Sequence, residues 1–250
     1  MSNADFLQFL KKQLGELYQT KYAGGICHDV DHVRRVEAFG PRIAEATGLV
    51  FDPDEWVAAV WLHNLDRIPG ESYRKLYGPQ PPMISAPLPV VDWSYDDWLQ
   101  KSKFDAEARN RIIDAVQQHS KFKDDPADSH LLTALRIADK LDSLGPIGIV
   151  RSVSGRSTLP LYDPQKPFGF GSTVEGRMKT VYDDFFRVVE WVGMMPSDAA
   201  RALINKQEFR ANIDYLRALG REIAGRLGVD NLVEQDIKKA LGSYYEEYAC

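Results

Sequence analysis

Apolar residues recur every three or four positions along most of the chain. Leu7, Leu10, Leu14 and Leu17 form one such stripe. Val174, Met178, Val181, Phe185, Val188 and Val192 form a second, and Val233, Ile237, Leu241, Tyr244 and Tyr248 a third. This spacing places each set on one face of an α-helix. Start signals agree with it. Asp52-Pro53-Asp54-Glu55 offers a capping side chain, a proline where the backbone needs no donor, and acids beside exposed N–H groups. Ser172-Thr173-Val174-Glu175 has the capping-box pattern, and Asp105 and Ser197 stand as caps before further stripes. The pattern predicts helices over 3–20, 29–47, 53–65, 92–101, 105–120, 128–143, 145–152, 173–193, 197–227 and 230–248, with no clearly alternating strand.

The expected fold class is therefore all-α, a single-domain multi-helix bundle over residues 1–250. Two segments interrupt it. Residues 79–89 carry Pro79, Pro81, Pro82, Pro87 and Pro89, which no helix interior tolerates. Residues 153–172 carry Gly155, Pro160, Pro164, Pro167, Gly169 and Gly171. Helices with apolar faces flank both segments, so neither reads as a linker between domains.

Charge narrows the functional classes. Lys and Arg number 31 against 36 Asp and Glu, a net −5. Binding to a nucleic-acid duplex through phosphate needs many cationic contacts, so no such partner is expected. The longest apolar run, Trp56–Leu62, falls far short of the roughly 20 residues that cross a bilayer. No charged-then-apolar leader opens the sequence, and no membrane partner is expected. Cys27 and Cys250 form no CxxC pair or zinc-type cluster. They read as free thiols in a reducing, cytoplasmic setting.

The candidate chemistry lies with the histidines, of which there are five. His28-Asp29-Val30-Asp31-His32 opens the second predicted helix, His63-Asn64 closes the third and His119 ends the fifth. Asp139 lies inside an otherwise apolar helix, in Ile137-Ala138-Asp139-Lys140-Leu141-Asp142. An isolated buried charge is very costly, so Asp139 must be paired, hydrogen-bonded or bound to a metal. Facing helices of a bundle can assemble a metal site from such residues. Spacing alone leaves metal ligation and ordinary helix-end or ion-pair roles both open for each residue.

The set, taken with its surroundings, resembles the HD-domain superfamily of metal-dependent phosphohydrolases, in particular a small bacterial branch. HDVDHVRRV at 28–36, AAVWLHNLDR at 58–67, AVQQHS at 115–120 and RIADKLDSLGPIGIVR at 136–151 carry the resemblance. It extends over about residues 20–225 and implies a core at 20–152 with helices 173–248 packed on it. The family pattern is a His, an adjacent His-Asp pair and a distant Asp around one divalent metal. The matching metal ligands are His32, His63, Asn64 and Asp139. Asn64 stands where the family has the Asp of the pair. It keeps a carbonyl oxygen but loses a negative charge and gains an NH2 that only donates.

The resemblance implies hydrolysis of a nucleotide or other small phosphate ester or anhydride. The cofactor would be one divalent metal ion: Mn, Mg, Co, Ni, Fe or Zn, held weakly because of Asn64. Lys140, Arg67 and His119 are the implied phosphate contacts, with Asp66, His119 and Lys140 in catalytic roles. Asp66 is three positions after His63 and would serve as base or replacement ligand if the helix continues that far. Asp29 is the other candidate for base or ring-orienting acid, with helix capping as its ordinary role. The alternative reading is a degenerate HD protein that binds a nucleotide or protein partner without turnover. The Pro-rich 79–89 segment and the acidic-aromatic 92–98 stretch are candidates for substrate selection, and aromatics near 91–98 and 244–248 for a homodimer face.

Overall fold

A computed structural model describes residues 1–20, 28–65, 94–120, 125–156, 159–171, 173–174 and 177–250. The chain falls into two compact units, Met1–Asp139 and Lys140–Cys250.

The first unit contains α1 (Asn3–Thr20), α2 (Val30–Thr47), α3 (Pro53–Leu62), α4 (Tyr95–Leu99), α5 (Ala106–Gln118) and most of α6 (His130–Ser143). Its helices start where side-chain caps stand. Asp52 accepts from the backbone N–H of Asp54 and Glu55, Ser94 from that of Asp97, and Asp105 from that of Ala108. The α3 helix is the centre of this unit and packs against α1, α2 and α5. That position explains its run of apolar residues. Trp56, Ala58, Ala59, Val60, Trp61 and Leu62 are all buried, so no face of the later turns is left for solvent.

Polar bonds fix the register of α3 on its neighbours. Glu37 Oε2 accepts from Trp61 Nε1 at 2.6 Å, and the Glu37 carbonyl accepts from Trp56 Nε1 at 3.1 Å. The other Glu37 oxygen accepts from Lys11 Nζ at 2.6 Å, and Tyr18 donates to the Trp61 carbonyl at 2.8 Å. Arg111 of α5 forks onto both oxygens of the buried Glu55 at 3.0 and 2.5 Å. Each indole N–H thus has a partner despite its burial, which offsets the cost of removing it from water.

The second unit contains the end of α6, then α7 (Pro146–Gly155), α8 (Val181–Glu190), α9 (Asp198–Arg201), α10 (Lys206–Leu227), α11 (Val233–Leu241), a 3-10 turn (Gly242–Tyr244) and α12 (Tyr245–Ala249). Here α8 contacts α7 and α11, and α10 contacts α7, α11 and α12. The Gly/Pro-rich stretch is pinned along this unit. Asp236 accepts from the Gly169 N–H at 2.8 Å, Lys239 donates to the Phe170 carbonyl at 2.9 Å, and Pro160 and Leu161 carbonyls accept from Val181 and Tyr182 at 3.0 Å.

Among the described residues the protein is all-α apart from one detail that departs from the sequence expectation. Residues 173–174 and 177–178 are not helical. Thr173–Val174 (β1) pairs antiparallel with Arg177–Met178 (β2), with Thr173 opposite Met178 and Val174 opposite Arg177. The helix starts at Val181, with Thr180 as its cap. Its hydroxyl accepts from the Asp183 N–H at 3.0 Å and donates to the Asp183 carboxylate at 2.8 Å. Three more boundaries differ. The third helix ends at Leu62, not residue 65. The predicted 197–227 helix breaks after Arg201, and Asn205 caps a new one. The predicted 230–248 helix breaks at Gly242, whose φ of +55° lies in the region glycine tolerates. The Pro-rich 79–89 segment, Asp92, Trp93 and Cys27 lie outside the described residues.

Close approach of α2 to α3 requires a glycine. A Cβ built on Gly40 would lie 2.3 Å from Trp56 Nε1, the atom bonded to the Glu37 carbonyl. The rigid, buried indole has little room to retreat, so overpacking outweighs the gain in helix propensity. Gly40→Ala is expected to destabilise the fold by about 1–3 kcal/mol, read as a lower denaturant midpoint; an unchanged midpoint would contradict this packing.

Candidate metal centre

The local sequence places two imidazoles at helix ends. Asp29 caps α2, its carboxylate accepting from the backbone N–H of His32 at 2.8 Å. That bond sets the first turn and with it the position of the His32 ring. His63 follows the buried end of α3 as its C-cap, with φ −63° and ψ −20°. Both histidine residues are fully buried, at 0% exposure. Asp139 comes from the penultimate turn of α6, and its side chain retains 25% exposure.

These three side chains meet. One donor atom from each of His32, His63 and Asp139 lies within 4.8 Å of the others. His32 Nε2 is 3.1 Å from His63 Nε2 and 3.6 Å from Asp139 Oδ1. Metal bonds to imidazole nitrogen and carboxylate oxygen are about 2.0–2.2 Å long, so donors at such separations can share one ion. Among the described residues this is the one group of three or more His, Cys, Asp or Glu side chains so disposed.

Hydrogen bonding sets the tautomer of His63. Its Nδ1 is 2.5 Å from the Val60 carbonyl, which can only accept. The proton therefore sits on Nδ1, and in the neutral ring Nε2 offers a lone pair to the cluster. His119 is built the same way. It caps α5, is 8% exposed, and donates from Nδ1 to the Val116 carbonyl at 2.6 Å. Its Nε2 is the acceptor and lies 3.2 Å from Ser120 Oγ. The rings of His28 and His32, His32 and His63, and His63 and His119 stand edge to face at 5.5, 5.2 and 5.2 Å between centroids. Four of the five histidines thus form a continuous row, which helix-end positions in the sequence suggested only singly.

Asn64 is 1% exposed and its Nδ2 is 2.6 Å from His63 Nε2. The amide accordingly donates to the lone pair that an ion would use. A half-turn of the carboxamide exchanges NH2 for the carbonyl oxygen at that place. The donor set fits a divalent transition ion: two imidazoles, one carboxylate and, after that turn, one amide oxygen.

The remaining sequence candidates are distributed as follows. Asp66 and Arg67 lie outside the described residues. Lys140 opens the second unit, is 8% exposed and donates to the Met194 carbonyl at 3.4 Å; it is not a solvated surface charge. The sequence reading missed Arg136 altogether. The residue is 2% exposed, and its guanidinium pairs with Asp128 and donates twice to the Gln118 carbonyl, at 3.3 Å from Nε and 3.1 Å from Nη2. Gln118 precedes His119, so this clamp holds the end of α5 that carries the fourth ring. Arg136 beside an apolar stripe was the signal available, since a charge there needs a partner.

No protein-family model and no curated protein matches the chain. Solved structures do. A Lactobacillus plantarum protein aligns over 88% of this chain and 98% of its own, at 18% identity and a TM-score of 0.66. An HD-superfamily hydrolase from Bacillus thuringiensis aligns over 88% and 97%, at 17% identity and a TM-score of 0.55. Bacillus subtilis YpgQ, solved in complex with ADP, aligns over 86% and 98%, at 20% identity and a TM-score of 0.53. The chain shares its helical fold with these solved structures.

Replacing Arg136 by Met would remove the buried guanidinium that pairs with Asp128 and donates twice to the Gln118 carbonyl. Breaking a buried ion pair from one side costs about 3–5 kcal/mol. Arg136→Met is expected to lose stability on that scale in chemical denaturation. Stability within about 0.5 kcal/mol of the natural chain, the range of an ordinary surface change, would contradict the clamp.

Proposed function

We propose that this chain, with its HD-domain fold, is a metal-dependent phosphohydrolase acting on a nucleotide or another small phosphate ester or anhydride. The observation that carries the reading is the meeting of His32, His63 and Asp139 donor atoms within 4.8 Å. The HD-superfamily hydrolase from Bacillus thuringiensis and the ADP complex of Bacillus subtilis YpgQ, both of the same fold, support the choice of reaction and substrate class.

His32, His63 and Asp139 would hold the ion, with Asn64 contributing its carbonyl oxygen. A divalent ion there supplies Lewis acidity toward a phosphoryl oxygen and lowers the pKa of water. The chain's own residues do the rest. The Val60 carbonyl holds His63 in the tautomer that presents Nε2. The Asp29 cap fixes the turn bearing His32. His119, with its proton on Nδ1 and an accepting Nε2, is the candidate to take or return a proton or to bind phosphate. Lys140 and Arg67 are the candidate cations for charge developing on the phosphoryl oxygens, and Asp66 the candidate base.

Asn64 favours a second reading, a degenerate member that binds nucleotide without turnover. We place the protein in the cytoplasm, with a small phosphorylated ligand as partner and a homodimer as the candidate assembly. No helix among the described residues is long and apolar enough to cross a membrane.

A panel of nucleotides and phosphate esters assayed with Mn, Mg, Co, Ni, Fe or Zn separates the readings. The enzyme reading expects turnover that a chelator abolishes and that Asp139→Asn or His63→Ala lowers by about 100-fold or more, with folding retained. Nucleotide binding with no turnover under any of these ions would leave only the second reading.

A further inference from the structure

One polar side chain stands on the core face of α10. Phe209, Asn212, Ile213 and Leu216 share that face at helical spacing, and all four are buried. Phe209, Ile213 and Leu216 bury hydrocarbon there. Asn212 buries a carboxamide, with the residue 4% exposed. Its Oδ1 has no hydrogen-bond partner among the described residues. Burying an amide oxygen in that state is costly, because folding strips its water and puts no donor in its place.

The oxygen does not face hydrocarbon on every side. Asn212 lines a cavity of about 10 Å³ between α7, α8 and α10, all three within the second unit. Most of the wall is apolar, with Ile149 from α7, Phe185 and Val188 from α8, and Leu216 from α10. Among the described residues, one other lining side chain carries a polar group. It is Ser152 of α7, which is 9% exposed and whose hydroxyl both donates and accepts.

Size and chemistry together select the occupant. Space of this volume holds about one water molecule and nothing larger. Wholly apolar cavities stay dry, whereas a cavity offering two or more polar groups retains a water. Asn212 accepts through Oδ1 and donates through Nδ2, and the Ser152 hydroxyl does both, so a water between them finds two or three partners. A bare ion does not suit the same wall, since no charged side chain lines it among the described residues.

We propose that Asn212 and Ser152 hold one water molecule in this cavity, tying α10 to α7 where apolar packing alone would leave a gap. The water donates to Asn212 Oδ1 and makes its second bond at the Ser152 hydroxyl. It is a fixed part of the fold, and removing either anchor releases it. The site is independent of the metal centre, whose donors His32, His63 and Asp139 belong to the first unit.

The test is a high-resolution crystal structure of the natural chain, joined to NMR of the Asn212 side chain in solution. The crystal is expected to show a single density peak about 2.7–3.2 Å from Oδ1. The NMR experiment is expected to show a cross-peak between the Asn212 NH2 protons and a water that stays bound for longer than the protein tumbles. Chemical denaturation supplies a second measurement. Asn212→Leu and Ser152→Ala each release the water, so the second substitution has less to lose. The unfolding constant of the double variant is expected to lie at least about twofold below the product of the two single effects. No peak at Oδ1 in the natural chain overturns the proposal, as does a carboxamide whose NH2 donates to a protein oxygen in its place. Single effects that simply multiply overturn it too, because the two side chains then share no partner. Should a variant fail to fold, the peak and the cross-peak in the natural chain decide.

Discussion

His63 donates its Nδ1 proton to the Val60 carbonyl at the end of a helix whose last five residues are all buried. The ring therefore cannot turn without losing that bond or disturbing the packing of α3 on α1, α2 and α5. One consequence is chemical: Nε2 faces the cluster as an acceptor. Another is positional: His32, Asp139, Asn64 and His119 are all placed relative to a fixed ring. The apolar run that looks like ordinary core is thus what orients the most constrained donor of the site.

Charge distinguishes this centre from the pattern it resembles. Replacing a carboxylate by its amide changes shape very little and electrostatics a great deal. The fold retains the two imidazoles, the carboxylate and the helix ends that carry them. What changes is the local donor at position 64, where the Asn64 Nδ2 lies 2.6 Å from His63 Nε2.

The sequence made much of this legible. Helix stripes and caps gave the class of fold and most element starts, because Asp52, Asp105 and Ser197 act through bonds to N–H groups two or three residues away. It misplaced the start of α8. Ser172-Thr173-Val174-Glu175 and Thr180-Val181-Tyr182-Asp183 are both plausible capping sequences, and the helix starts behind Thr180. It also ran helices through residues 202–205 and Gly242, since periodicity continues across a break when both sides face one core. At the site, the resemblance picked out His32, His63, Asn64 and Asp139, and the fold brings the three metal-type donors together. The Val60 and Val116 carbonyls, the Arg136 clamp and the row of imidazoles were not legible, because each depends on residues meeting across turns and helices.

The account stands on one ion binding where His32, His63 and Asp139 converge. Anomalous diffraction from crystals of the natural chain grown with cobalt and phosphate tests that most directly. The account predicts a single strong peak within about 2.0–2.2 Å of His32 Nε2, His63 Nε2 and an Asp139 oxygen, with the Asn64 carboxamide turned away from its contact with His63. A peak elsewhere, or none at this place with the Asn64 NH2 still on His63 Nε2, would contradict it.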